Sequence, residues 1–316
     1  VREEIKLAAE QAAARERESA RKERTQGSLF RSEATYLTKE TRDRRLQRDR
    51  LRAKAQKETL LRKLSSHDYI GPLKRIRKKR HGTTGSWLTE TTAFKTWFAE
   101  TKSSTLWLSG ILGSGKSVVT AAAINELLCH SRRANDHIGF FFCEYDNANS
   151  LSARIVLGTL IRQCLTADSL SEVMESRLKN MFDGNEGLYP DIDDFAFLLG
   201  ELTATSTSIT FVVDGLDECT RKERMILLNQ LHCLVSTPKS IVKIFFSSRE
   251  LVMRDIASVF DSCLQVTMDC AEARADIPTY VKDVVTEKIE NAELVVGSPQ
   301  LIHEIIEALV KGANGM

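Results

Sequence analysis

Charged and polar residues dominate the first 64 positions, and the few large apolar ones toward their end, Leu46, Leu51, Leu60, Leu61 and Leu64, fall too irregularly for a heptad seam. The stretch is rich in Ala, Glu, Arg and Lys, with one glycine and no proline. It therefore favours helix by intrinsic propensity and predicts one or two long, solvated helices, with Gly27 as the place for a break. Gly71-Pro72 marks a boundary, and the basic run 74–80 (KRIRKKR) reads as a linker ending in the glycines at 82 and 85.

From Trp87 onward the pattern changes to short apolar runs alternating with amphipathic stretches. Residues 106–109, 138–143, 209–213, 242–247 and 264–268 are compact runs of the kind that forms strands buried on both faces. Helical spacing marks 118–128, 152–164 and 224–235. Such alternation predicts right-handed βαβ units and a parallel sheet. A last helix is expected to start at Ser298-Pro299, an N-cap followed by proline in the first turn. Leu301, Ile302, Ile305, Ile306, Leu309 and Val310 continue it at helical spacing. No internal repeat is visible. The expected organisation is a charged helical segment over 1–70, a basic linker over 71–85, an α/β core over 86–270 and the start of a helical lid over 271–316.

The chain of 316 residues has a net charge of +2, which hides an asymmetry. Residues 1–80 hold 25 Lys+Arg against 12 Asp+Glu, and the remainder holds 20 against 31. A basic arm of +13 thus precedes an acidic body of −11. The seven cysteines are scattered, odd in number and without a CxxC pair, and read as reduced, buried thiols of an intracellular protein. No uncharged apolar run approaches the roughly 18 residues needed to cross a bilayer, and the N-terminus has no secretory signal. A cytoplasmic location is expected, with nuclear import through 74–80 as an alternative. The chain starts with Val and stops just past a helix, which reads as a fragment.

The chemistry starts at Gly110-Ile-Leu-Gly113-Ser114-Gly115-Lys116-Ser117, which fits GxxxxGK[ST] between a predicted strand and a predicted helix. Glycines at 110, 113 and 115 let a loop curl so that successive backbone NH groups face phosphate oxygens. The helix that follows presents its unpaired first-turn NH groups to the same anion. Lys116 would neutralise the β and γ phosphates, and the Ser117 hydroxyl would ligate magnesium. The plain alternative is a glycine turn with a chance lysine.

Two further features agree with the first reading. The apolar run 209–213 ends in Asp214-Gly215-Leu216-Asp217-Glu218, and a carboxylate at the C-terminal end of a buried strand sits on the ligand edge of a parallel sheet. Asp214 would hold magnesium, and Asp217 or Glu218 would orient or deprotonate an attacking water. Otherwise these acids cap the next helix. The run 242–246 leads into Ser247-Ser248-Arg249, a polar pair and an arginine that would sense the γ phosphate, Arg249 bringing charge to it; otherwise Arg249 pairs with Glu250 or another surface carboxylate.

Together, the GKS loop, the strand ending DGLDE and the strand ending SSR resemble the NACHT family of signal-transduction NTPases, in its fungal, nephrocystin-like branch. Residues 85–88 (GSWL), 141–146 (FFCEYD), 160–163 (LIRQ) and 308–316 carry the resemblance further, over about 82–316. Thr83 stands where the branch has the first glycine of Gly-Thr-Gly. The resemblance implies a P-loop NTPase with a five-stranded parallel sheet in the AAA-like order 5-1-4-3-2, flanked by helices. It implies ATP or GTP with Mg2+ as ligand, slow hydrolysis, and a signalling switch that forms a homo-oligomer in the triphosphate state. It also carries the lysine and hydroxyl roles to Lys116 and Ser117, the magnesium aspartate to Asp214, the acidic pair to Asp217 and Glu218, and the sensor arginine to Arg249. The competing reading is a catalytically inactive nucleotide-binding scaffold. A further reading of the basic arm, contact with nucleic acid or an anionic membrane surface, is less favoured because stacking aromatics are nearly absent. Asp191, Asp193 and Asp194 lack the pattern of a calcium loop and are expected to begin a helix.

Overall fold

Each apolar run can cover both faces of a sheet, because successive strand side chains point to opposite sides. The computed structural model describes residues 2–130, 136–166, 168–183, 190–236 and 239–313. In chain order its elements are α1 (Arg2–Leu64), α2 (Ile70–Lys79), α3 (Trp87–Glu90), α4 (Thr92–Ala99), β1 (Ser104–Ser109), α5 (Lys116–His130), β2 (Asp136–Phe142), α6 (Ala153–Cys164), α7 (Glu172–Asp183), α8 (Ile192–Thr205), β3 (Ser208–Asp214), α9 (Arg221–Ser236), β4 (Ile241–Ser248), α10 (Met253–Ala257), β5 (Leu264–Thr267), α11 (Ala271–Glu290) and α12 (Pro299–Gly312).

The five strands form one sheet in the order β2-β3-β4-β1-β5, every pair parallel. This is the expected order 5-1-4-3-2 read from the other edge. Trp107, Phe141, Phe211, Val213 and Phe246 face one apolar layer, which α6, α8 and α9 complete. Leu106, Leu108, Phe140, Val212 and Phe245 face the other, completed by α3, α4 and α5. With both faces covered, the strands need no polar alternation, which is why they read as continuous apolar runs. The parallel pairing also brings the C-terminal ends of β1, β3 and β4 to one edge, and the motif loops leave from there.

The N-terminal part departs from the expected layout. Helix α1 runs without a break through Gly27. The chain divides into two compact units, Val1–Gln56 and Lys57–Met316, whereas the composition shift placed a boundary at residue 70. Leu61 and Leu64 are 6% and 5% exposed and lie in the same apolar layer as α6 and α8. Arg162 donates to the Ser65 carbonyl at 2.6 Å, and the hydroxyls of Ser65 and Thr159 are 2.7 Å apart. The basic run 74–80, expected to belong to a linker, is largely helical. Most of it lies in α2, which Asp68 starts by accepting from the amides of Ile70 and Gly71 at 3.1 and 3.0 Å. Leu73 and Pro72 are buried, so one face of this helix is apolar and the lysines and arginines occupy the other. Asp191 and Asp194 form a reciprocal capping box at the start of α8, in keeping with their reading as a helix start. Residues 314–316 of the closing resemblance lie outside the described residues.

The docking of the α1 end is tight: a Cβ at Gly158 would come within 2.5 Å of the Leu64 carbonyl oxygen. We expect Leu64→Ala to cost about 2–5 kcal/mol of unfolding free energy, measured by urea denaturation of the full chain. Loss below about 0.5 kcal/mol would show that this helix end is not part of the core.

Candidate nucleotide-binding site

Strand β1 ends at Ser109, and the chain turns through Gly110 to Gly115 before α5 starts at Lys116. Gly113 and Gly115 have φ of 80° and 89°, values that L side chains avoid, so glycine is required for this curl. Gly110 is needed for space, since a Cβ there would lie 2.7 Å from Met268 beyond the end of β5. Lys116 Nζ donates to the carbonyl oxygens of Gly110 and Ile111 at 3.0 and 2.7 Å and so lies along the loop. Burial lowers its pKa, an effect opposed by Asp217 and Asp214. The Ser114 hydroxyl donates to the Ile111 carbonyl at 2.9 Å and fastens the turn.

The second motif comes to the same place. Asp214, the last residue of β3, is 4% exposed. Its carboxylate accepts from the Ser117 hydroxyl at 2.6 Å, from the Thr120 hydroxyl at 3.0 Å, and from Ser247 at the end of β4. Burial pushes its pKa up, and the three hydroxyls with Lys116 hold it down in part. Thr120 was not foreseen. The signal was present, because Ser117 and Thr120 are three residues apart and share a face of α5.

Gly215 then takes φ 72°, which turns the chain sharply into the short helical turn Leu216–Glu218. Asp217 does not face the loop freely. It accepts from the Arg249 backbone NH at 2.9 Å and pairs with the Arg249 guanidinium, whose pKa it raises. Glu218 is the more open acid of the pair, its side chain 26% exposed and 3.8 Å from Arg249. The two serines before Arg249 are held by other partners. Ser247 donates to Asp214, and Ser248 accepts from Trp107 Nε1 at 2.8 Å.

Lys116, Ser117, Asp214, Asp217, Glu218 and Arg249 all line a cleft of about 310 Å³ beside the loop. A second cavity, of about 300 Å³, lies on another side of Gly113–Gly115 and is mostly apolar, with Trp87, Val119, Met268, Ile277 and Tyr280 in its walls. Thr84 and Gly85 also line it. The Gly85 amide donates to Asp276, and left-handed φ occurs at Gly82 and Gly85, not at Thr83. The departure from Gly-Thr-Gly at Thr83 therefore falls where glycine is not required. Among the described residues no group of three or more His, Cys, Asp or Glu side chains could hold a metal by itself, and no helix is long and apolar enough to cross a membrane.

The family model described as Nephrocystin 3, N-terminal matches residues 83–249, more than half of the chain, from the segment before Trp87 to Arg249. No curated protein sequence matches. Solved structures with a similar backbone include Drosophila ORC bound to DNA (16% identity, 70% of this chain and 50% of that one, TM-score 0.41). They also include the Aeropyrum pernix ORC1 protein in complex with DNA (12%, 75% and 57%, 0.43) and AMPPCP-bound DnaA from Aquifex aeolicus (14%, 72% and 60%, 0.34). The chain spans about 50–60% of the length of these structures.

The raised pKa of Asp214 has a stability consequence. A carboxyl whose folded value lies above its ordinary 3.8 binds its proton more readily when folded, so the charged form penalises folding at neutral pH. The penalty is relieved as pH falls through the folded value. Asp214→Asn, neutral throughout, should therefore raise Tm at pH 7, by about 2–4 °C per kcal/mol recovered, with a gain that shrinks on acidification. An unchanged or lower Tm by scanning calorimetry would show that the hydroxyl bonds outweigh the cost of burial.

Proposed function

The chain belongs to the Nephrocystin 3, N-terminal family, and we propose that it binds a nucleoside triphosphate with magnesium and hydrolyses it slowly as a signal-transduction switch of the NACHT type. The observation that carries this reading is the 2.6 Å hydrogen bond from Ser117 to Asp214, which joins the helix of the glycine loop to a buried acid 97 residues later. A hydroxyl and a carboxylate side by side beside the glycine loop are hard oxygen donors, and they suit Mg2+, which takes few protein ligands and shares the rest with phosphates and water. The residues present therefore fit the ion. When bound, it supplies charge neutralisation at the phosphate oxygens.

Each side chain then has a task. The loop amides of 110–115 and the α5 N-terminus hold the phosphates, and Lys116 exchanges its carbonyl partners for phosphate oxygens. Ser117 and Asp214 hold the ion, with Thr120 and Ser247 orienting the carboxylate. Glu218 is the acid placed to orient and deprotonate water, since Asp217 is taken up by Arg249. Asp217 acts as the positioning residue that aims Arg249 at the cleft. The apolar cavity on the other side of the loop takes the base, with ATP preferred to GTP. By the same reading the triphosphate state is a homo-oligomer.

Titration calorimetry with Mg·ATP and Mg·GTP tests binding, and single-turnover hydrolysis tests chemistry. Lys116→Ala should abolish the binding heat. Glu218→Gln should keep binding within a few-fold and slow turnover by roughly 100-fold or more. Heat that is absent with both triphosphates on folded wild type would end the reading. Tight binding with hydrolysis equal in wild type and Glu218→Gln would favour the inactive scaffold.

A further inference from the structure

Beside the acidic turn lie two thiols that the proposed chemistry does not use. Cys143 follows the last residue of β2, and Cys219 follows Glu218 directly. Both are buried, and their sulfurs are 3.6 Å apart. We propose that Cys143 and Cys219 form a peroxide-sensitive dithiol whose closure to a disulfide ties the acidic turn to the end of β2 and displaces Glu218 from the cleft.

The two segments are already locked together by their backbones. The Cys143 amide donates to the Asp214 carbonyl at 2.9 Å, and a Cβ at Gly215 would lie 2.7 Å from the Cys143 carbonyl oxygen. A disulfide bond is about 2.05 Å long, so the sulfurs must close by roughly 1.5 Å. No slack is available at Gly215, whose left-handed turn packs against Cys143. The movement therefore falls on the residues leading to Cys219, Glu218 among them.

The two thiols differ in reactivity. The hydrogen bond with Cys143 lowers the Cys219 pKa, and so does the charge of the buried Arg224, whose guanidinium donates to the Cys219 carbonyl at 2.7 Å. The same hydrogen bond, together with burial, raises the Cys143 pKa and keeps that thiol protonated. The 310 Å³ cleft is lined by Cys143 and by Glu218, the residue before Cys219, and brings a small oxidant up to the thiol pair. In the first step the Cys219 thiolate attacks one oxygen of hydrogen peroxide, the O–O bond breaks, and hydroxide leaves to give a sulfenic acid. In the second, the Cys143 sulfur attacks the Cys219 sulfur and expels the sulfenic oxygen, the Cys143 proton leaving with it as water. Two thiols and one peroxide become one disulfide and two waters. Reduction by a thiol reverses it. Cys164 is equally buried, its pKa pushed up to about 12 by burial alone, and provides an internal reference that should stay reduced.

The pairing stands on geometry alone, while its effect on turnover rests on the proposed function. Full-length protein is treated with hydrogen peroxide, alkylated and digested, and the crosslinked peptides are mapped by mass spectrometry. A 143–219 crosslink that forms with Cys164 still alkylated, and that dithiothreitol removes, supports the dithiol. Failure to form it in folded wild type overturns the proposal. Single-turnover hydrolysis on the same samples should fall by roughly tenfold or more in step with the crosslink and return on reduction. Both Cys219→Ser and Cys219→Ala should be insensitive to peroxide in this respect. A crosslink that leaves turnover unchanged overturns the control of Glu218. Reduced protein that never turns over nucleotide would instead sink the proposed function, with the crosslink still read by mass.

Discussion

A single buried carboxylate organises this molecule. Burying an ion costs several kcal/mol unless hydrogen bonds replace its water, and Asp214 obtains three hydroxyl donors from two different elements, Ser117 and Thr120 on α5 and Ser247 on β4. The cost of the charge is thus offset only when the glycine-loop helix and two neighbouring strands are all in place. Any shift of α5 relative to the sheet changes the surroundings of Asp214 directly.

A second tier of contacts builds on the first. Gly215 turns the chain at once after Asp214, and the two acids that follow take different surroundings. Asp217 is nearly closed off, with both oxygens committed to Arg249, and Glu218 stays open to the cleft. Equal charge on paper becomes unequal access, because one acid is held by a guanidinium and an amide while the other faces the cleft. The Arg224–Asp255 ion pair, 2.6 Å long and almost wholly buried, anchors the start of α9 just behind this turn. The acidic turn therefore leaves a rigid base and presents a single open carboxylate.

The N-terminal flank shows how a strongly charged segment still joins a core. In α2 the basic side chains point outward, while Leu73 packs with Trp87 and Leu88 in the layer shared with α5. Arg75 meets Glu144 across the surface at 2.6 Å, an exposed pair worth little to stability. What holds this flank is apolar burial, aided by the close packing of Gly85 on Val119 and by the hydrogen bond that the Gly85 NH donates to the Asp276 carboxylate.

Strand positions, the parallel sheet, the glycine loop and the acid at the end of β3 were all legible from residue order, whereas the order of the strands was implied only by the family resemblance. These features depend on local pattern: runs buried on both faces, glycine where the backbone must turn left-handed, and a hydroxyl beside a lysine at a helix start. Other features could not be read that way. Composition placed the end of α1 and the run 74–80 outside the core, because charge density along a chain does not reveal which few apolar residues find a partner. Leu61, Leu64 and Leu73 did. Likewise, nothing local distinguishes Asp217 from Glu218, nor marks Cys143 and Cys219, 76 residues apart, as neighbours. Parallel strands bring residues distant in the chain to one edge, so the hydrogen-bond partners of each acid and the company of each thiol are consequences of the assembled sheet alone.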